Sequence, residues 1–513
     1  MRNKYSYLKY WDACFLFALS FPILLPFVLK IPLNGDTYLY SRSIITFDGG
    51  LIHFGYFIIG SAFYALLKNF SYSTLETITY MSVFFSSVTV ACMYLFTFEL
   101  SQRRLQSYLA ALTLLFSGTF WLFSEHGEVY VPQLCFILLS AVLIMHKKPL
   151  ISSLFFLFAV SITPTSYLAL PPLIYLFYFK GYEKRTLLLF VSPIFLFFCF
   201  LLLWDFHRVM AIVKWAVVPP EVFFKNFSYK ALLYNISNKL ILSYCKSFNL
   251  FVIISLFAFF IMFRQDRKLW FLMALFFFPF SLYLLNIGLF SGHHLLISFI
   301  ACSFLVSYGL CELLNRTMFP VTVKYFTMLL LTSLYIVISF QLFISPAVRD
   351  AHELGVLLDR LASEYNSKGI IISDYDFGMA FWYFTQSEPD IFLFTGRPNM
   401  YLRLHCFNTG DCFQKLESGF WINIPHLPDF LSLSDSRILL ENRSIYFIDR
   451  SYWPTGFVRL LLSDKSLEKR KSRIPRAQRL KRFLDKKLED KIEFLKIIDS
   501  PLRSVYVTER TSK

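Results

Sequence analysis

Charge is scarce in this sequence. Asp, Glu, Lys and Arg make up 16% of its 513 residues, where a soluble domain carries roughly a quarter, and the mean hydropathy is +0.54. A soluble fold cannot hide that much apolar surface. Also missing are a Walker-type phosphate loop, a dinucleotide fingerprint, a zinc-peptidase helix motif and any Cys/His metal spacing, which weighs against a nucleotide-driven pump. Nine cysteines lie mostly in apolar segments, where a thiol acts as a small hydrophobe, so neither a disulfide scaffold nor a metal site is indicated. Cys406 and Cys412 are the exception: they flank a short polar turn and could be bridged if that region is oxidising, which the sequence leaves open. No small-residue cleavage pattern follows Trp11 to Leu29, which reads as a first membrane helix and not as a cleaved signal.

What is abundant is aromatic and aliphatic. Phe alone accounts for 62 residues, in runs such as Phe276 to Phe278, as expected of helices that face lipid. Taking stretches of about 18 or more mostly apolar residues as spans, the sequence predicts a polytopic α-helical membrane protein of about eleven transmembrane helices. They fall near 12–30, 77–98, 106–123, 129–145, 150–163, 165–180, 187–204, 248–263, 269–287, 293–311 and 325–344. Thr163-Pro164-Thr165 splits the 150–180 run into a helical hairpin.

The net charge of +16 is read as topology and not as nucleic-acid binding, because Lys and Arg fall in short clusters between apolar runs. Arg2, Lys4 and Lys9, Arg103-Arg104, Lys147-Lys148, Lys180 to Arg185, Arg264 to Lys268, and Arg316 with Lys324 all fall on one side of eleven spans. The positive-inside rule then makes the N-terminus cytoplasmic, with 31–76, 124–128, 205–247, 288–292 and 345–513 on the other side. Within 31–76, the apolar stretch 53–68 reads as a helix lying at the interface; a twelfth span there would invert every later loop.

From 345 the composition becomes that of a small extracytoplasmic α/β domain, with strands at 369–373, 391–394 and 444–448 and a helix at 377–385. The segment 465–487 holds eleven Lys or Arg in 23 residues, interleaved with Leu467, Ile474, Leu480, Phe483 and Leu484. Solvated helix and anionic-headgroup binder are both open readings.

Three outward constellations carry chemistry. The first is Asp36, just beyond the first span, followed by Asp48 and His53; a carboxylate at that edge would take a proton from an acceptor hydroxyl or hold a metal beside a phosphate, or simply cap a helix. The second is Glu125-His126-Gly127-Glu128 with Tyr130, acids squeezed between two spans, which are costly unless they line a wet cavity or coordinate something. The third is cationic: Arg208, Lys214, Lys225, Lys230, Lys239 and Lys246 in the long outer loop, with His293-His294 near the same surface. Outward cations between helices suit a phosphate or pyrophosphate headgroup; taken one lysine at a time, loose surface charge explains them as well.

The order of these features resembles the GT-C superfamily of integral membrane glycosyltransferases, in particular its bacterial branch related to protein O-mannosyltransferases. In that branch a first-loop acid precedes a His-Pro-Pro-Gly-Tyr-like stretch; here Asp36 precedes His53-Phe54-Gly55-Tyr56. A Phe-Ser-x-Thr-Phe-Trp segment leads into Ala-Glu-Val-Tyr; here Phe116 to Trp121 leads into Glu128-Val129-Tyr130. A Thr-Asn-His-like break corresponds to Thr163-Pro164-Thr165. The chain departs at Leu39, where a second acid is common, in lacking the paired prolines before Gly55, and in lacking the His of the third marker. The resemblance covers residues 10–205 by motif and the rest by architecture. It implies an inverting, hexosyltransferase-type transfer from a polyprenyl-phosphate sugar donor to a protein, lipid or glycan acceptor at the outer face of a bacterial inner membrane. Asp36 would be the base, Glu128 would help build the site, and a divalent cation such as Mg or Mn remains open, with Asp36 a ligand for it. Tyr56, Glu125, His126, Tyr130, Arg208, His293 and His294 are the accompanying binding candidates. Two other classes fit the same composition: a flippase or other transporter of lipid-linked saccharide, and a non-catalytic membrane scaffold.

Overall fold

The computed structural model describes residues 7–29, 32, 35–46, 53–204, 236–287, 292–318, 320–364, 370–373, 380, 383, 391–394, 414–415, 421–423, 445–450, 492–499 and 503–510. Two compact units emerge: Met1–Val28 with Ser43–Ser345, and Leu29–Arg42 with Pro346–Lys513.

The first unit is helical. Its elements are α1 (Leu8–Leu24), α2 (Gly35–Thr46, whose C-terminal part belongs here), α3 (Phe54–Leu67), α4 (Thr74–Ser101), α5 (Arg104–Leu115), α6 (Gly118–Ser124), α7 (Tyr130–Met145) and α8 (Pro149–Ile162). They continue with α9 (Leu170–Phe179), α10 (Lys184–Trp204), α11 (Leu242–Phe248), α12 (Phe251–Gln265), α13 (Arg267–Ile287), α14 (Phe299–Arg316) and α15 (Val321–Ser339). Each of the eleven predicted apolar segments overlaps one or more of these helices. Among the described residues, four stretches are individually long and apolar enough to cross a membrane: Leu8–Phe27, Thr74–Ser101, Leu295–Arg316 and Val321–Leu342. A fifth is obtained if the bent pair α5 and α6 is counted as one span.

Helix α4 organises the unit, packing against α1, α5 and α7. A capping box starts it: Ser73 accepts from the Glu76 backbone N–H, and Glu76 accepts from the Ser73 N–H at 2.8 Å, which satisfies donors the first turn leaves open. Its buried face carries small hydroxyls, Ser86, Ser87 and Thr89 among them. These three return their protons to the carbonyl four residues back, at 2.6 to 3.0 Å, so they let neighbouring helices approach with their own donors paired; Ser82 and Thr97 on the same helix are buried without a side-chain partner. The α7–α8 hairpin is held in the same way, with Ser140 and Ser152 hydrogen-bonded to each other at 2.8 Å.

Two differences from the sequence reading matter for the site. The third predicted span, 106–123, is not straight: α5 and α6 meet at 64°, because Phe116 leaves the helix and Ser117 is extended (φ −70°, ψ 129°). The polar 34–50 stretch contains helix α2, so Asp36 lies within a first helical turn and not at the position preceding one; a carboxylate is favoured there by the helix dipole. The apolar 53–68 stretch is helical, as α3.

The basic clusters gather at one end of the unit. Arg104 grips Asp12 of α1 with two hydrogen bonds, 2.6 and 2.8 Å, while Tyr94 and Tyr108 donate to the same carboxylate. Lys9 pairs with Glu99, whose carboxylate is 3.6 Å from His146 and whose backbone carbonyl accepts from Lys180 at 3.0 Å. Arg103 lies 3.6 Å from Glu312, near the end of α14. Charges that follow α4, α7 and α9 in sequence, and Lys9 in the first turn of α1, therefore share one surface.

The second unit carries α16 (Ser345–Glu364, all but its first residue) and a seven-stranded sheet. Its strands are β1 (Ile370–Ser373), β2 (Ile391–Phe394), β3 (Gln414–Lys415), β4 (Trp421–Asn423), β5 (Ile445–Arg450), β6 (Ile492–Asp499) and β7 (Arg503–Arg510), in the order β3-β4-β2-β1-β5-β7-β6. The three predicted strands form its parallel centre, with Ile371 of β1 opposite Phe392 of β2 and Tyr446 of β5. Antiparallel neighbours flank them on both sides. Short runs of consecutive apolar residues suit strands covered on both faces. The stretch Leu29–Arg42 belongs to this unit, where Tyr38 meets Tyr383 at a ring separation of 5.6 Å. The expected helix at 377–385 lies mostly outside the described residues, and Cys406, Cys412 and the basic segment 465–487 lie wholly outside them.

Candidate functional site

At the end of the helical unit opposite the basic clusters, the turn joining α6 to α7 carries Glu125, His126, Gly127 and Glu128. Gly127 packs on Ile78 near the start of α4, whereas Glu99 near the end of α4 meets Lys9. At 1.5 Å of rise per residue these contacts are separated by about 30 Å, the thickness of a bilayer's hydrocarbon core.

The turn is buried, with Glu125, His126 and Glu128 exposing no more than 2% of their surface; the sequence had marked it as an outward loop. Gly127 makes the turn feasible. Its φ is +68°, and a Cβ there would come within 2.9 Å of Ile78 Cγ1 and 3.2 Å of the Ile78 backbone, so both conformation and space demand glycine.

Three stretches far apart in sequence converge here. The Tyr56 hydroxyl of α3 donates to the Gly127 carbonyl at 2.5 Å. His53, immediately before α3, donates from Nδ1 to the Ile162 carbonyl at the end of α8, at 2.6 Å. Gly55 packs so closely on Ser161 that a Cβ would lie 2.1 Å from its Oγ. Finally Gln133, one turn into α7, donates to Thr165 (3.2 Å) and Ser166 (2.9 Å) just beyond the Thr163-Pro164 break. The first-loop motif, the acidic turn and the hairpin break thus form one hydrogen-bonded assembly.

Electrostatics in the turn are set by burial. Burial pushes the Glu125 carboxyl well above the usual carboxylate range; the Trp121 indole, nearby though not in hydrogen-bond geometry, acts in the opposite direction. Glu125 Oε1 and Trp121 Nε1 are both buried without a hydrogen-bond partner, as are Ser117 Oγ and Thr163 Oγ1. Such groups in native folds call for an explanation. His126 is lowered to about 4 by burial, against the opposing effect of its hydrogen bond with the Leu122 carbonyl. His53 is lowered to about 4 for the same reason, opposed by its bond with Ile162. Both imidazoles are therefore neutral at pH 7. Burial, and next the charge of Glu128, raises the Tyr56 hydroxyl well above 10, which puts Glu128 within electrostatic reach of Tyr56.

The remaining sequence candidates distribute as follows. Tyr130 opens α7, its ring edge-on to Phe123 at 6.4 Å. Asp36 is in α2 and His293 and His294 are in the 3-10 turn Gly292–Ser298 that leads into α14, but their side chains lie outside the described residues, as do Asp48 and Arg208 altogether. Of the six outer-loop cations, Lys246 is the one whose side chain is described. It sits in the last turn of α11, and burial lowers its ammonium. Helix α11 packs on α6 through Thr119 and Ser247, 2.6 Å apart, a contact with no signal in either segment's sequence. No group of three or more His, Cys, Asp or Glu among the described residues is placed to hold a metal ion.

No family model matches this chain, and no curated protein matches it in sequence. Solved structures do match. The apo oligosaccharyltransferase of Archaeoglobus fulgidus superposes with a TM-score of 0.50 at 11% identity, over 87% of this chain and 70% of that one. ArnT from Cupriavidus metallidurans in its apo state superposes with a TM-score of 0.50 at 8% identity, over 96% of this chain and 97% of that one. At these identities the likeness is one of architecture: the chain shares the fold of these two proteins.

Proposed function

We propose that the protein is a membrane glycosyltransferase that moves a sugar from a polyprenyl-phosphate-linked donor to an acceptor hydroxyl at the outer face of a bacterial inner membrane. The observation that carries this reading is the convergence of His53, Tyr56, the 125–128 turn and the 163–166 break at one end of the helical unit. A scaffold has no need of two buried carboxyls in a turn held from three directions, since each costs stability unless it serves a purpose. A transporter would carry its charges near mid-depth, whereas Glu125 and Glu128 lie at the Ile78 end of α4. The likeness in fold to a protein named as an oligosaccharyltransferase agrees with the reading.

In this proposal Asp36 accepts the proton of the acceptor hydroxyl, and the polyprenyl phosphate leaves. The protein's main task is then to stabilise charge developing on that phosphate, for which Lys246, Arg208, His293 and His294 are the candidate donors. Glu128 and Tyr56 shape the acceptor side, and Glu125, kept protonated by burial, supplies a hydroxyl donor. The branch related to protein O-mannosyltransferases remains the preferred assignment, with protein, lipid and glycan acceptors all compatible with it. The test is transfer of label from a panel of radiolabelled polyprenyl-phosphate sugars to membrane extract, by purified protein in nanodiscs. Wild type should transfer and Asp36→Asn should not, with both monodisperse; folded wild type that transfers from no donor would overturn the assignment.

A further inference from the structure

At the basic end of the helical unit, far from the acidic turn, a groove of about 660 Å³ opens between α12, α13 and the end of α14. Its walls are aromatic: Phe257, Phe260 and Phe263 of α12, with Trp270 of α13 packed edge-on against Phe263 at a ring separation of 5.0 Å. The three Phe rings are 43 to 67% exposed, on a helix whose opposite side, through Ala258 and Ile254, packs against Gly309 of α14. Two guanidiniums close the groove, Arg264 in the last turn of α12 and Arg316 at the end of α14. A third, Arg267, lies 5.8 Å from the Phe263 ring. Both groove arginines are exposed, and neither forms an ion pair among the described residues. Two acids lie near: Asp266 starts α13, accepting from the Leu269 N–H at 3.0 Å, and Glu312, one turn before Arg316 in α14, lies 3.6 Å from Arg103.

This combination is amphipathic in a directional sense. The aromatic wall faces outward from the bundle along the last turns of α12, where acyl chains lie against a membrane helix, and the cations sit where those helices end, at headgroup level. A zwitterionic headgroup carries its own ammonium and gains little from two unpaired guanidiniums, whereas a phosphate diester with no compensating cation meets planar donors suited to phosphate oxygens. The ends of α12 and α14 present carbonyls and no free N–H groups, so the charged donors there are the arginine side chains; Trp270, which also lines the groove, carries an indole N–H without a hydrogen-bond partner. The geometry points to a binding site for one anionic phospholipid, its phosphate held by Arg264 and Arg316 and its tail laid over Phe257, Phe260 and Phe263. Basic pockets between membrane helices on the cytoplasmic side are a recurrent setting for anionic headgroups.

The test compares retention of phosphatidylglycerol and phosphatidylcholine with identical tails, by native mass spectrometry of the full-length protein released from nanodiscs. Wild type should retain the anionic lipid preferentially, and raising salt should weaken that preference. R264Q/R316Q should cut the preference at least about fivefold, roughly 1 kcal/mol. K184Q/R185Q, which removes the same charge from the start of α10, should leave it unchanged. All four positions are exposed, so the variants are expected to fold, and R316Q alone, giving a partial loss, serves if the double variant is not monodisperse. As a second readout, phosphatidylglycerol with brominated tails should quench a component of tryptophan emission that is absent from W270F. Equal retention of both lipids by wild type, or equal loss in R264Q/R316Q and K184Q/R185Q, would overturn the site.

Discussion

Tyr56 and Gly127 are joined by a hydrogen bond of 2.5 Å from the phenol to the backbone carbonyl, which ties α3 to the acidic turn between α6 and α7. Tyr56 is fully buried, so Tyr56→Phe leaves that carbonyl without its partner, a loss of about 1–3 kcal/mol. The expected outcome is a lower thermal midpoint in detergent and, because the turn carries Glu125 and Glu128, transfer activity that falls further than the loss of folded protein explains. Activity that tracks folded protein one for one would reduce the bond to a structural tie.

Gly127→Ala tests the turn itself. A Cβ at φ +68°, pressed against Ile78, should cost more than about 1 kcal/mol. Gly181 also has a positive φ, +66°, but has open space around it, so Gly181→Ala should cost less. A comparison of the two thermal midpoints separates the backbone effect from the contact with Ile78.

Much of this site was legible as motifs and almost none of it as geometry. Glu125, His126 and Glu128 stood out because acids between two apolar runs are rare, and His53, Gly55 and Tyr56 because of their order after Asp36. That Tyr56 would donate to the Gly127 carbonyl, or His53 to the Ile162 carbonyl, was invisible, because backbone acceptors carry no side-chain signature. The bend at Phe116–Ser117 carries a weak signal, since Ser117-Gly118-Thr119 interrupts the apolar run there and Gly/Ser pairs are a site of helix kinks, but no proline marks it. In the sheet, β1, β2 and β5 were visible as apolar runs, while Gln414–Lys415 and Trp421–Asn423 are too short and too mixed to stand out, their strand state being set by pairing of β4 with β2 and of β3 with β4. The basic end was the most legible feature, since the positive-inside rule already grouped the clusters that Glu99, Asp12 and Glu312 now join.

The pH dependence of stability should show two opposed slopes. His53 and His126 fall from 6.5 to about 4 in the folded protein. Below 6.5 the unfolded chain takes up protons that the fold refuses, so their contribution is present above 6.5 and is lost as pH falls toward 4. Glu125 is raised, so the fold keeps a proton that the unfolded chain releases above about 4.5, and its contribution is lost as pH rises. Glu125→Gln should therefore raise the thermal midpoint at pH 7, with the gain shrinking as pH approaches 4.5. A midpoint difference independent of pH would show that Glu125 is ionised in the fold.

Orientation is the last point open to direct measurement. Asp12 and Arg104 fix the start of α1 to the start of α5, and Lys9, Glu99, His146 and Lys180 lie together, so the basic clusters share one surface whichever way the chain inserts. The positive-inside rule then assigns that surface to the cytoplasm, because positively charged loops are retained there. Alkaline phosphatase fused after residue 128 should be active and the same enzyme fused after residue 148 inactive, since one junction follows the acidic turn and the other the Lys147-Lys148 cluster. The reverse pattern would place the acidic turn inside the cell, where an outer-face acceptor could not reach it, and the proposed transfer would have to take its donor and acceptor from the cytoplasm.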